Sequence, residues 1–274
     1  MNSQKTIIRA GQIEKQYWRD VWKYRELFYF LAWRDILVRY KQTFAGVLWT
    51  VLQAVSSVFA LVVVFEKVAK ISSVGAPYPL MVFAGFLPWN FFAGSLASSS
   101  SSVGANANLI SKIYFPRLII PLSSVVTCLV DLAISGVILA VMMVWYHFLP
   151  SWRVIFLPAF LLLAAAAAVG GGIWLAALTV KYRDFRVIVP FILQFGFFFS
   201  PIGYPIEKIP EKWQLLYALN PMVGVIDGFR WAILGGNARL DVTGFALPVA
   251  LVLLLLVSGF WYFRKTERFF ADVI

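Results

Sequence analysis

The chain has 274 residues, 61% of them hydrophobic and only 14% charged, with a formal net charge of +11. A soluble domain is roughly 25% charged, so this balance excludes an ordinary globular protein and points to an integral membrane protein. One cysteine and one histidine, Cys128 and His147, exclude a disulfide framework, a zinc site and an imidazole relay.

The first 43 residues carry nine of the 24 Lys and Arg and lack the apolar core and small-residue cleavage site of a signal peptide, so this end is expected to be retained and cytoplasmic. Within them "WKYRELFYFLAWRDILVRYKQT" alternates cations with aromatic rings. At 100° per residue, Trp22, Tyr29, Trp33, Ile36, Leu37 and Tyr40 fall on one stripe, with Lys23, Arg34 and Lys41 beside it. This pattern predicts an amphipathic helix at the headgroup level, which serves at the least as an anchor before the first span.

Six segments approach or exceed the ~20 apolar residues a crossing helix needs: Phe44–Phe65, Leu80–Gly104, Leu118–Tyr146, Val154–Val180, Val187–Tyr204 and Gly244–Phe263. The fifth is the shortest. With the N-terminus inside, the inner segments hold 17 basic residues and the outer ones 7, which is the positive-inside arrangement and places both termini in the cytoplasm. The same rule accounts for the net charge without nucleic acid as a partner. Domain organisation follows: a cytoplasmic N-terminus over 1–43, a six-span bundle over 44–263, and a tail over 264–274.

Span one carries a polar and aromatic stripe at helical spacing, Trp49, Gln53, Ser56 and Ala60. Span two contains "GSLASSSSSVGAN", read as a continuing helix whose small face lets neighbours approach and whose hydroxyls bond back to the backbone. Asp131 is the one acid well inside a span, and an intramembrane carboxylate is a functional candidate by default; a structural hydrogen bond or a protonated acid is the plainer assignment. Span five repeats phenylalanine as Phe191, Phe195 and Phe198 on one face, with Phe199 adjacent and Tyr204 at the outer end. Such a stripe faces lipid, packs, or lines a path. The long connection before span six is broken by Pro205, Pro210 and Pro221. It predicts two short re-entrant helices, Trp213–Leu219 and Met222–Leu234. Asp227 and Arg230 lie one turn apart there and are candidates for an outer gate.

The chain contains no G-x-x-x-x-G-K-[ST] loop, so it has no ordinary means of binding and splitting ATP. Five stretches taken together resemble the membrane subunit of ABC exporters of the type-2 permease family, in the branch that exports lipid-linked polysaccharides such as O-antigen, capsule or teichoic acid. They are "RDILVRYKQTFAGVLWTVLQ", "FLPWNFFAGSL", "NANLISKIYFPRLIIPLSS", "VKYRDFRVIVPFILQFGFFFSPIGYP" and "LNPMVGVIDGFRWAILG". The Lys-x-x-Phe-Pro-Arg-x-x-x-Pro core of the third is the most specific.

The resemblance implies an all-α bacterial inner-membrane protein acting as a homodimer with two copies of a separate ATPase. ATP and Mg would be bound by that ATPase, with no cofactor or metal on this chain and no catalytic residue. It implies a coupling helix near Ala105–Tyr114, with Asn108, Ser111, Lys112 and Tyr114 as contacts. Arg183 and Asp184 are further contacts, or simply a local ion pair. It also implies spans one and five as the channel wall, through Trp49, Gln53, Ser56, Phe191, Phe195, Phe198, Phe199 and Tyr204. Arg34, Arg39 and Lys41 are candidates for the undecaprenyl pyrophosphate, because a diphosphate arriving from the cytoplasm meets cations at the inner headgroups. Two other readings fit less well. A permease for a small lipid or drug lacks a reason for the aromatic fifth span. A polyprenyl-phosphate membrane enzyme needs carboxylates converging at one membrane face, and the acids here are scattered.

Overall fold

The computed structural model describes residues 17–40, 44–71, 75–235 and 242–270, and every described element is helical. The helices are α1 (Tyr17–Lys23), α2 (Arg25–Tyr40), α3 (Phe44–Val62, continued by a π turn to Val68), α4 (Tyr78–Ala105), α5 (Ala107–Lys112) and α6 (Ile119–Trp145). They continue as α7 (Leu157–Lys181), α8 (Phe185–Phe198), α9 (Glu211–Ala218), α10 (Pro221–Leu234) and α11 (Val242–Thr266).

Five of these are long and apolar enough to cross a membrane: Val47–Val68, Tyr78–Ala105, Ile119–Trp145, Trp152–Lys181 and Phe245–Thr266. They answer to expected spans one to four and six. The expected fifth span, Val187–Tyr204, is different. Its helix α8 has 14 residues, about 21 Å at 1.5 Å per residue and short of a ~30 Å hydrocarbon core. The physical reason lies in "SPIGYP", where two prolines and a glycine within six residues stop helix propagation just after Phe199. Two short helices do occupy the connection before α11. α9 ends at Ala218 and α10 begins at Pro221, capped by the Asn220 side chain, which accepts from the Met222 N–H at 3.0 Å.

α4 is the central helix, packed against α6, α7 and α10. Its hydrophobic half holds Leu80, Val82, Phe83 and Phe91 fully buried. Its serine half remains helical because the hydroxyls bond to carbonyls one turn back: Ser100 to Ala97 at 2.8 Å and Ser102 to Ser99 at 2.7 Å. The small side chains then permit close approach. A Cβ on Gly172 of α7 would stand 2.7 Å from Ser99 Cβ. Behind it, Gly170 of α7 and Gly259 of α11 meet backbone to backbone. In a bilayer, where apolar burial between helices yields little, this shape match is what holds α4, α7 and α11 together. α10 is buried along most of its length through Met222, Val225, Ile226 and Phe229, and packs on α4, α7 and α11. By contrast α3 and α8 leave long apolar faces uncovered.

Candidate functional site

The end of the bundle that carries α1, α2, α5 and the last turn of α11 concentrates the charged groups. Tyr17 is buried in the second hydrophobic cluster, beneath the Arg264 guanidinium at 4.6 Å from its ring centroid. The neighbouring Trp18 meets Phe260 edge-on at 5.5 Å. Arg117, at the end of the Lys-x-x-Phe-Pro-Arg stretch, donates its backbone N–H to Glu267 Oε1 at 2.7 Å and a guanidinium N–H to the Glu267 carbonyl. Burial pushes the Glu267 carboxyl above the ordinary carboxylate range, against the opposing effect of these donors. Burial first, and the nearby Glu267 charge second, push the Tyr17 phenol up as well. This clasp joins the start of α1, the α5–α6 connection and the end of α11, and nothing in the sequence pattern announces it.

Of the expected coupling residues, Asn108, Ser111, Lys112 and Tyr114 are all exposed on or just after α5, while Ile110 and Phe115 anchor that segment below. Lys112, Tyr114 and Ser111 border a shallow cavity of about 200 Å³. Arg183 and Asp184 stand exposed in the short α7–α8 turn.

α2 lies along α6. Its Leu31 and Ala32 are buried, and Trp22, Tyr29 and Trp33 of the predicted aromatic stripe are exposed. Two of the three cations expected at a pyrophosphate are already engaged. Arg34 pairs with Asp35 at 2.7 Å and also donates to Asn106 Oδ1 at 2.9 Å. Arg39 pairs with Asp131 at 2.9 Å. The third, Lys41, falls outside the described residues. Asp131 also accepts from the Tyr40 hydroxyl at 2.5 Å. Desolvation, followed by this hydrogen bond, holds the Tyr40 phenol above its usual range. Asp131 thus receives both Arg39 and Tyr40 of α2, partners that its own span does not contain.

The expected channel residues of α3 and α8 share one property: Trp49, Gln53, Ser56, Phe191, Phe195, Phe198 and Phe199 are all exposed. Tyr204 is not with them. It is half-buried, its ring 5.8 Å from Phe65 and its hydroxyl 3.1 Å from that of Tyr217. At this end Arg230 is buried and gives its guanidinium to the carbonyls of Met81 at 3.2 Å, Tyr204 at 3.0 Å and Ile202 at 2.5 Å, so that α10 fastens the loop after α8 to α4. Gly85 allows this: a Cβ there would be 2.9 Å from the guanidinium. The Tyr78 hydroxyl donates to the Gly203 carbonyl and adds a second fastening. Asp227 is half-buried one turn away. Among the described residues, no three His, Cys, Asp or Glu side chains converge as a metal would require.

Comparison with known proteins identifies related chains. The profile of the ABC-2 type transporter family matches residues 26–234. An O-antigen export system permease protein, RfbA, of Myxococcus xanthus is 30% identical over 258 residues, covering 93% of this chain and 98% of that protein. An RfbA of Klebsiella pneumoniae is 27% identical over 242 residues, covering 88% and 92%. The polysialic acid transport protein KpsM of Escherichia coli is 22% identical over 210 residues, covering 74% and 79%.

Proposed function

The chain belongs to the ABC-2 type transporter family, and from that premise we propose that it is the membrane subunit of an ATP-driven exporter of undecaprenyl-pyrophosphate-linked polysaccharide, O-antigen foremost. The observation that carries this reading is the near full-length similarity to an O-antigen export permease, at 98% of that protein's length. In this reading the chain works in the bacterial inner membrane with both termini in the cytoplasm. It forms a homodimer and binds two copies of a separate ATPase, which holds ATP and Mg.

The physical problem is to pass a long hydrophilic chain across a bilayer while its lipid end stays in the membrane. Sugar rings present apolar faces as well as hydroxyls, so aromatic side chains hold them weakly at many places. A path of that kind has contacts favourable enough to enter and weak enough to leave. The exposed Phe191, Phe195 and Phe198, at 57%, 60% and 66%, supply such a wall once a second copy stands opposite. Trp49, Gln53 and Ser56 extend it on α3, with Phe199 at the end of α8 and Tyr204 beyond it. Asp227 and Arg230 belong to the outer gate, where α10 holds the loop after α8.

At the inner end, exposed Asn108, Ser111, Lys112 and Tyr114 are the docking contacts for the ATPase, with Arg183 and Asp184 beside them. The Arg117–Glu267 clasp transmits displacement of α5 into α6 and α11. Lys41, Arg39 and Arg34 meet the diphosphate, the latter two by exchanging their present carboxylate partners for it.

The test is to purify this chain together with its partner ATPase and to measure ATP hydrolysis. Undecaprenyl-pyrophosphate glycan is expected to stimulate turnover, and free glycan or hydrophobic drugs are not. Indifference to every lipid-linked glycan would remove the reading.

A further inference from the structure

α7 and α11 run side by side in the same direction. Gly170 meets Gly259 backbone to backbone, and one turn further on the Trp174 and Tyr262 rings stack at 5.1 Å and 29°. Both helices then end as membrane-length segments, at Lys181 and Thr266. Lys181 lies two turns beyond Trp174 on the same face, about 10 Å along the axis, and Lys265 lies one turn beyond Tyr262. Two cations therefore stand at the mouth of a seam whose floor is aromatic.

Both ammonium groups are held without an acid. The Lys181 ammonium is 5.0 Å from the Tyr182 ring centroid and interacts electrostatically with Tyr262 across the seam. That of Lys265 is 5.2 Å from the Trp261 centroid. Among the described residues neither lysine forms an ion pair, in contrast to Arg34 and Arg39. Glu267, two residues beyond Lys265, is turned away to the Arg117 N–H. The polar groups at the mouth are two ammoniums, two phenol hydroxyls and the Trp174 indole N–H, all able to donate and none anionic. An anion is the ligand such a set selects.

The surface alongside decides which anion. Trp261, Val257 and Leu254 precede Lys265 on one face of α11 and are 64%, 70% and 61% exposed. A free phosphate makes no use of that apolar stripe. A phospholipid lays an acyl chain along it and brings its phosphodiester to the level at which both helices end. A zwitterionic headgroup sets its own ammonium against the lysines, so a headgroup of net negative charge is favoured.

We infer that the α7–α11 seam ends in a binding site for an anionic phospholipid. Its phosphodiester is held by Lys181 and Lys265, and an acyl chain lies along Trp261 and Val257. The site stands apart from the residues that meet the exported substrate, and the inference does not depend on what that substrate is.

The test titrates the full chain, purified in detergent, and counts bound lipid by native mass spectrometry. The probes are phosphatidylglycerol, phosphatidylethanolamine with the same acyl chains, glycerol 3-phosphate and undecaprenyl diphosphate. Three double variants accompany the parent: Lys181→Gln with Lys265→Gln, Lys181→Arg with Lys265→Arg, and Lys23→Gln with Arg25→Gln. The last pair removes two exposed cations at the same end of the bundle. Phosphatidylglycerol is expected to bind the parent roughly tenfold more tightly than phosphatidylethanolamine. The Lys181→Gln, Lys265→Gln chain is expected to lose that affinity roughly ten- to thirtyfold, as removal of two cations from a lipid phosphate should. The arginine pair and the Lys23, Arg25 pair are expected to retain it.

Equal binding of the two phospholipids, or no binding of phosphatidylglycerol, overturns the inference. Equal losses in the Lys181, Lys265 and Lys23, Arg25 glutamine variants overturn it too, since the attraction is then spread over the whole basic surface. Displacement of phosphatidylglycerol by an equal concentration of glycerol 3-phosphate removes the acyl contact and leaves only a phosphate site. If the Lys181, Lys265 glutamine variant loses undecaprenyl diphosphate but keeps phosphatidylglycerol, the lysines serve the carrier and the inference falls.

Discussion

Arg39 Nη2 and Asp131 Oδ2 lie 2.9 Å apart and tie the last turn of α2 to a point about 18 Å along α6. The aspartate side chain is 10% exposed and the arginine 46%, so the pair is half-solvated. Asp131→Ala removes the acceptor for both Arg39 and Tyr40. It is expected to cost on the order of 1–3 kcal/mol, between the limits for surface and buried pairs. Asp131→Asn retains an acceptor for the Tyr40 hydroxyl and is expected to cost less. Thermal unfolding of the purified chain in detergent orders the two variants. In a double-mutant cycle, Arg39→Ala is expected to be milder in the Asp131→Asn background than alone; strict additivity would mean that the pair contributes nothing.

Glu267 predicts a pH dependence of the clasp. Its carboxyl is raised in the fold, mainly by burial, so folding favours the protonated acid relative to the unfolded chain. Its stabilising contribution is fully present below the ordinary glutamate pKa of about 4.3. It is lost as pH rises from there through the raised value. Glu267→Gln keeps an acceptor for the Arg117 N–H and removes the titration. Limited proteolysis of the C-terminal segment is expected to accelerate over that rise in the parent chain and to stay flat in the variant. Identical profiles in both would place the titration elsewhere.

The ends of α4 and α6 agree with the apolar runs to within a few residues, because length and hydropathy are local properties that a bilayer selects directly. The shortening of α8 was written in "SPIGYP", yet a hydropathy window averages across two prolines and extends the span to Tyr204. Partners were not readable at all. Tyr40 and Asp131 are 91 residues apart, and Arg117 and Glu267 are 150 apart. Each pair meets only through the packing of whole helices. The cations near α2 were recognisable as cations, but whether a carboxylate already holds them depends on which helix lies alongside. Serine-run packing was anticipated from side-chain size.

The α7–α11 seam predicts a sharp contrast among glycines. A Cβ on Gly170 would stand 2.7 Å from the Leu256 backbone nitrogen, and one on Gly259 would stand 2.5 Å from the Gly170 carbonyl oxygen. Backbone cannot step aside as a side-chain tip can, so Gly170→Ala and Gly259→Ala are each expected to cost about 1–3 kcal/mol. Gly136 on α6 has nothing within 4 Å of its added Cβ. Gly136→Ala is expected to be neutral, or to stabilise by up to about 1 kcal/mol through helix propensity. Melting temperatures of the three variants in one detergent decide it; equal shifts would mean that the seam is not close-packed.

Adjacent phenylalanines on α8 separate folding from transport. Phe197 packs inward, its ring 6.2 Å from that of Trp89, and Phe197→Ala is expected to lower stability by about 1–3 kcal/mol. Phe195 and Phe198 face outward at 60% and 66% exposure, so alanine at either should change the stability of the isolated chain by no more than about 0.5 kcal/mol. If their faces carry passing sugar rings, both changes reduce glycan-stimulated ATP hydrolysis in the complex with the ATPase. The effect must then follow the ring and not the bulk. Phe195→Tyr keeps a planar face and is expected to retain most turnover, whereas Phe195→Leu keeps an apolar side chain without one and is expected to lose it. A lipid-facing stripe makes the opposite demand: leucine would serve as well as phenylalanine, and the tyrosine hydroxyl would be the unwelcome change. Full turnover with Phe195→Leu would therefore assign α8 to lipid and move the path to the α3 face of Trp49, Gln53 and Ser56.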